Sequence, residues 1–141
     1  MNPGYYLYWG NLGDARRWIP GGEAGAKEAY RRAIELTEER LKTAADDAEV
    51  TATLAVYLSK SGNAARALAV LAGLKQVTKR TPGSFFKAGI AYEIAGAREQ
   101  AISALAAAIK GGYSITEIKT EPELTALRGD RRYHALLLQQ R

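Results

Sequence analysis

The chain has 141 residues, of which 47% are hydrophobic and 25% charged, and 20 Lys and Arg against 15 Asp and Glu leave a net charge of +5. This balance belongs to a folded globular chain rather than a disordered one, and the length suffices for one domain with a real core. The absence of cysteine excludes disulfides and thiolate chemistry; no run of 18 apolar residues offers a membrane span, and no basic stretch leading into an apolar segment marks a secretory leader.

Nearly all of the sequence reads as helix, with no alternating strand pattern. Tyr5, Tyr6, Leu7, Tyr8 and Trp9 crowd the start, and a first helix carries Leu12 and Gly13. An irregular turn, Ile19-Pro20-Gly21-Gly22, leads to a long second helix through Ala26, Tyr30 and Ala33 that runs to about Ala45. Asp46 or Asp47 can cap a helix to about Ser61, where Gly62 supplies a left-handed terminus. Asn63 can cap the next, through Leu68, Leu71 and Leu74 to about Lys79. Thr81-Pro82 places a cap before a proline at the first helical position, opening a helix that ends at Gly96. Another runs from Ala97 to Lys110 and is closed by Gly111-Gly112. In the tail, Thr120-Glu121-Pro122-Glu123 has the form of a capping box that opens a short helix through Leu124 and Leu127. Gly129 ends it, and Asp130 caps a last helix carrying Tyr133, Leu136 and Leu137.

Within this series a pattern recurs at 34 positions. Leu54, Ala55, Leu58, Gly62, Ala67, Leu71 and Ala72 are matched by Ala88, Gly89, Tyr92, Gly96, Ala101, Leu105 and Ala106. A fixed period of this length marks stacked helix–turn–helix units, none of which can bury its apolar face alone. The small residues Ala55, Gly89, Ala67 and Ala101 let paired helices approach closely. The whole chain, 1–141, thus reads as a single domain of a divergent unit over 5–47, units over 48–81 and 82–113, and a helical cap over 114–141.

The spacing resembles the tetratricopeptide repeat. One copy reads Phe85-x2-Ala88-Gly89-x2-Tyr92, then Ala101-x3-Leu105; the preceding copy reads Thr51-x2-Leu54-Ala55-x2-Leu58, then Ala67-x3-Leu71. A weaker copy begins Trp9-x2-Leu12-Gly13 and continues as Ala26-x3-Tyr30; it departs from the family at Arg16, where an aromatic is expected. The resemblance implies an all-α, right-handed array of three helix pairs with a C-terminal helical cap, and a scaffold that binds proteins or peptides. The tail, Gly111-Gly112-Tyr113 to Gly129-Asp130, resembles a segment that follows such repeats in large bacterial regulators, among them serine/threonine kinases and cyclase-like signalling proteins. It implies one part of a larger regulatory, cytoplasmic protein.

Chemistry for an enzyme is lacking. The single histidine, His134, stands in a terminal helix, no Asp, Glu and His set has metal-ligand spacing, and no glycine-rich loop follows a strand. No cofactor or metal is expected, and the chain reads as non-catalytic. The positive charge concentrates in residues 48–81, where Lys60, Arg66, Lys75, Lys79 and Arg80 face one acid, Glu49. This is either a solvated face or a surface for an acidic partner. Nucleic acid is not expected, because the basic residues are neither interleaved with aromatics nor gathered on one helix.

In an array of the implied kind, the first helix of each pair lines a concave face. That placement nominates Trp18, Val56, Lys60, Phe86, Ile90, Glu93 and Ile94 as a peptide-binding groove for apolar anchors with some acidic character. Either they form this groove, or neighbouring units and the cap bury them. The aromatic start raises a similar choice: it packs onto the long second helix, or Tyr5 or Tyr8 meets an upstream domain or a second copy. A self-associating homodimer module is therefore the alternative function, and an accessory domain of an enzyme a third.

Overall fold

The computed structural model describes residues 4–139, and among these no strand forms. The fold is all-helical: α1 (Tyr6–Arg17), α2 (Glu23–Leu41), α3 (Ala48–Lys60), α4 (Ala64–Leu74), α5 (Pro82–Ile94), α6 (Arg98–Lys110), α7 (Ile115–Thr120) and α8 (Arg131–Leu138). Two 3-10 turns, Pro122–Leu124 and Leu127–Gly129, lie between α7 and α8.

Local sequence accounts for most boundaries. The side chains of Asp47 and Asn63 accept from the N–H groups of Val50 and Arg66, satisfying donors left free in the first turns of α3 and α4. Thr81 and Ser84 exchange hydrogen bonds in a capping box, with Pro82 at the first helical position of α5. The C-termini of α3, α5 and α6 share one device. Asn63 N–H donates to the Leu58 carbonyl and Gly62 N–H to Ser59; Ala97 and Gly96 do the same toward Tyr92 and Glu93, and Tyr113 and Gly112 toward Ala108 and Ile109. This paired bonding needs a residue with positive φ, and Gly62, Gly96 and Gly112 supply it at 89°, 86° and 96°.

Elsewhere the boundaries depart from the sequence reading. The second helix stops at Leu41 rather than near Ala45, and the fourth at Leu74 rather than near Lys79. In each case the chain tightens into i to i−3 bonds: Lys42 and Thr43 donate to Glu39 and Arg40, and Gln76 and Val77 to Gly73 and Leu74. Thr120 closes α7 instead of opening a helix, and the Glu121 side chain caps the turn Pro122–Leu124. The helix α7 itself, six residues capped by Ser114, is too short to show a helical period in sequence.

Packing follows the small residues. Within the chain α1 lies on α2, α3 on α4 and α5 on α6, while α3 also packs on α2 and α5. Ten of the thirteen residues of α3 are buried as a result. Ala55, Ala67 and Ala101 are wholly inaccessible. A Cβ added at Gly89 would lie 2.8 Å from Leu105 Cδ2, so α5 and α6 meet closely enough that a larger residue there requires Leu105 to shift. The tail enters the same core: Ile118, Leu124 and Leu127 are fully buried, in one cluster with residues of α3, α5 and α6. A smaller cluster at the other end joins Ala26, Tyr30, Ala33 and Tyr57, with Tyr6 and Trp9 against it.

One core side chain carries a cost. Tyr133 in α8 is buried, and its hydroxyl has no hydrogen-bond partner among the described residues. Because an unpaired buried hydroxyl costs about 1–3 kcal/mol, Tyr133→Phe is expected to hold or raise stability, by about 1 kcal/mol, in urea denaturation. A clear loss would show that the hydroxyl is bonded in solution.

Candidate functional site

The seven residues nominated for a groove do not form an open one. Val56, Phe86 and Ile90 are 8%, 8% and 6% exposed and belong to the main core. Ile94 is half-buried against that core. Phe86 stacks on Tyr113, with ring centroids 4.4 Å apart and 18° between planes. Residues 122–124 pack on α5, and Leu124 is buried in the same cluster as Val56 and Ile90. The face these side chains were expected to present is thus occupied by the chain's own tail.

The polar members are spoken for as well. Glu93 receives the guanidinium of Arg98 at 2.6 and 3.1 Å. Lys60 Nζ donates to Asp14 Oδ1 at 2.8 Å, and Asp14 also accepts from the Tyr30 hydroxyl at 2.6 Å. Arg17 donates to the Lys60 carbonyl at 3.1 Å and grips Glu123 through two nitrogens at 2.9 and 3.2 Å. Asp14, Arg17, Tyr30, Lys60 and Glu123 therefore make one network across α1, α2, α3 and the tail. Burial, and then the bond to the Asp14 carboxylate, push the Tyr30 phenol well above its ordinary range. Trp18 alone is open, 62% exposed just beyond α1, with Arg17 5.6 Å from its ring centroid.

At the N-terminal edge the aromatics divide. Tyr6 and Trp9 pack onto the cluster around Tyr30 and Tyr57, whereas Tyr5 and Leu7 remain exposed. His134 is also exposed, its ring edge-on to Tyr133.

An open concavity lies elsewhere. Above α5, between α4 and α6, is a cleft of about 450 Å³. The buried Leu71, Leu74, Ala88, Tyr92 and Ala104 close its base, and the half-buried Phe85 and Ala107 are the apolar side chains that reach its surface. Polar groups stand at its edges: Lys75 and Arg80 where α4 gives way to α5, and Glu99, Gln100 and Ser103 along α6. The Arg80 guanidinium lies 5.3 Å from the Phe85 ring centroid, so one cation is already held against that ring. An apolar concavity of this size with a few polar groups at its margin is the general form of a binding cleft.

Sequence reasoning missed this site because Leu71, Tyr92 and Ala88 match the repeat pattern and read as packing residues. The available signal was the charge surplus that includes Lys75, Lys79 and Arg80. The acid of that segment, Glu49, is engaged by other partners: burial pushes its carboxyl up, but the bonds it accepts from Lys87 and Thr81 hold it below the ordinary value.

Among the described residues no three His, Asp or Glu side chains gather as a metal site, and no helix is long and apolar enough to cross a membrane. Comparison with protein-family models, with curated proteins and with solved structures gives no match.

Proposed function

We propose that this chain is a non-catalytic, cytoplasmic protein- or peptide-binding scaffold of the tetratricopeptide-repeat kind, working as one part of a larger regulatory protein. In this reading α1/α2, α3/α4 and α5/α6 are the three helix pairs and residues 114–139 the cap. The recurrence of one glycine-closed terminus on α3, α5 and α6 supports the repeat assignment. The observation that carries the function is the cleft between α4 and α6, where the half-buried Phe85 and Ala107 lie beside exposed cations. The clustered ionisable groups, by contrast, pair with one another, as in the Asp14–Lys60 and Arg17–Glu123 contacts.

The reading is tested by panning a random peptide library against the intact chain and crosslinking the retained peptides. Peptides with submillimolar Kd whose crosslinks fall on one surface are the expected result; no retained peptide would overturn it. Self-association is the second reading, favoured by exposed Tyr5 and Leu7 at one end of the fold. Light scattering separates the two, since the scaffold is expected at its monomer mass of 15.3 kDa.

A further inference from the structure

The cleft over α5 has a definite polarity. At one end are Lys75 and Arg80, with Lys79 beside them in the same loop; Glu99 lies in the first turn of α6, with Gln100 and Ser103 following. Lys75, Lys79 and Arg80 make no ion pair among the described residues. Their charges are therefore available, and they adjoin the half-buried ring of Phe85.

Resting on the scaffold reading, we propose that this cleft binds an acidic peptide segment, with an apolar side chain against the half-buried Phe85 and Ala107 and two or more acidic side chains against the exposed Lys75, Lys79 and Arg80. Three cations spread over six positions of a loop match several negative charges along a chain better than the one charge of a small carboxylate. Gln100 and Ser103 can meet peptide backbone groups along the α6 edge. Glu99 repels an acid at its own position, so it sets the direction in which the segment lies.

The test uses the intact chain and three fluorescein-labelled peptides: Glu-Asp-Leu-Leu-Phe-Gly, Lys-Lys-Leu-Leu-Phe-Gly and Glu-Asp-Ser-Ser-Ser-Gly, titrated by fluorescence anisotropy, with dodecanoate as a competitor. The first peptide is expected to bind about tenfold or more tightly than either control, and to weaken as salt rises. Lys75→Glu with Arg80→Glu is expected to reduce its affinity by about tenfold or more, and Ser103→Trp, which fills the cleft from an exposed position, to abolish binding. Lys119→Glu, a charge reversal on α7 away from the cleft, leaves it unchanged. Circular dichroism melts establish that each variant is folded.

Equal binding of the acidic and basic peptides would overturn the charge assignment while leaving the scaffold reading intact. So would peptides from the library crosslinking only to another face. Binding of dodecanoate without binding of the acidic peptide would replace the peptide with a small amphiphile. Failure of all probes here, together with an empty library selection, removes both proposals.

Discussion

Phe86→Ala is expected to lower the unfolding free energy by about 3–5 kcal/mol, the usual cost of emptying a buried aromatic site. The sequence pattern alone nominates Phe86 as a groove residue, and truncating an exposed side chain ordinarily changes stability by about 0.5 kcal/mol or less. The two positions for this ring thus differ several-fold in a measurable quantity. Phe86 is buried and stacked on Tyr113, so the loss includes both apolar area and the ring contact. Against a typical domain stability of about 5–15 kcal/mol, the change is large enough to leave the variant partly unfolded on warming. Urea denaturation should show a lower midpoint at constant m. An unchanged midpoint would place Phe86 at the surface and open the face that the tail covers.

Gly13→Ala is expected to destabilise the protein although it improves helix propensity. Alanine in place of glycine within α1 favours the helix by about 1 kcal/mol. The new Cβ, however, would stand 2.6, 2.7 and 2.9 Å from three atoms of the Tyr30 ring. Tyr30 is 1% exposed, and its hydroxyl is tied to Asp14, which is tied in turn to Lys60. The ring cannot retreat without opening that chain of bonds, and overpacking of this sort costs about 1–3 kcal/mol. A net loss is expected in the same urea titration. Gly73→Ala is the control: it lies in α4 with nothing within 4 Å of an added Cβ, so propensity acts alone and stability rises. If Gly13→Ala also stabilises, α1 and α2 are not in the close contact described.

These two residues show what was legible in the sequence and what was not. Gly13 aligns with Ala55 and Gly89, so its role at a close helix contact follows from the spacing. The glycine-closed ends at Gly62, Gly96 and Gly112 follow equally, because a positive φ is a local demand that one residue type meets. Phe86 is different. Its burial depends on Tyr113 and the tail, and nothing local in the sequence states where the tail returns. The contact of Arg17 with Glu123 spans 106 positions and has no periodic signature. Likewise, the ends of α2 and α4 are set by short-range turns with no positive-φ residue to announce them. The cleft was hidden for a further reason: its walls are built from pattern residues, and a gap between helices is a property of their separation rather than of any one side chain.

The Arg17–Glu123 link has a consequence for how the molecule comes apart. A row of helices in which each touches only its neighbours can fray from either end, one unit at a time. Here the first helix is fastened to a turn near the other terminus, and the fully buried Leu124 sits one residue beyond the fastening. Parting α1 from the rest therefore also breaks an ion pair to the tail, a link that a row joined only between neighbours lacks.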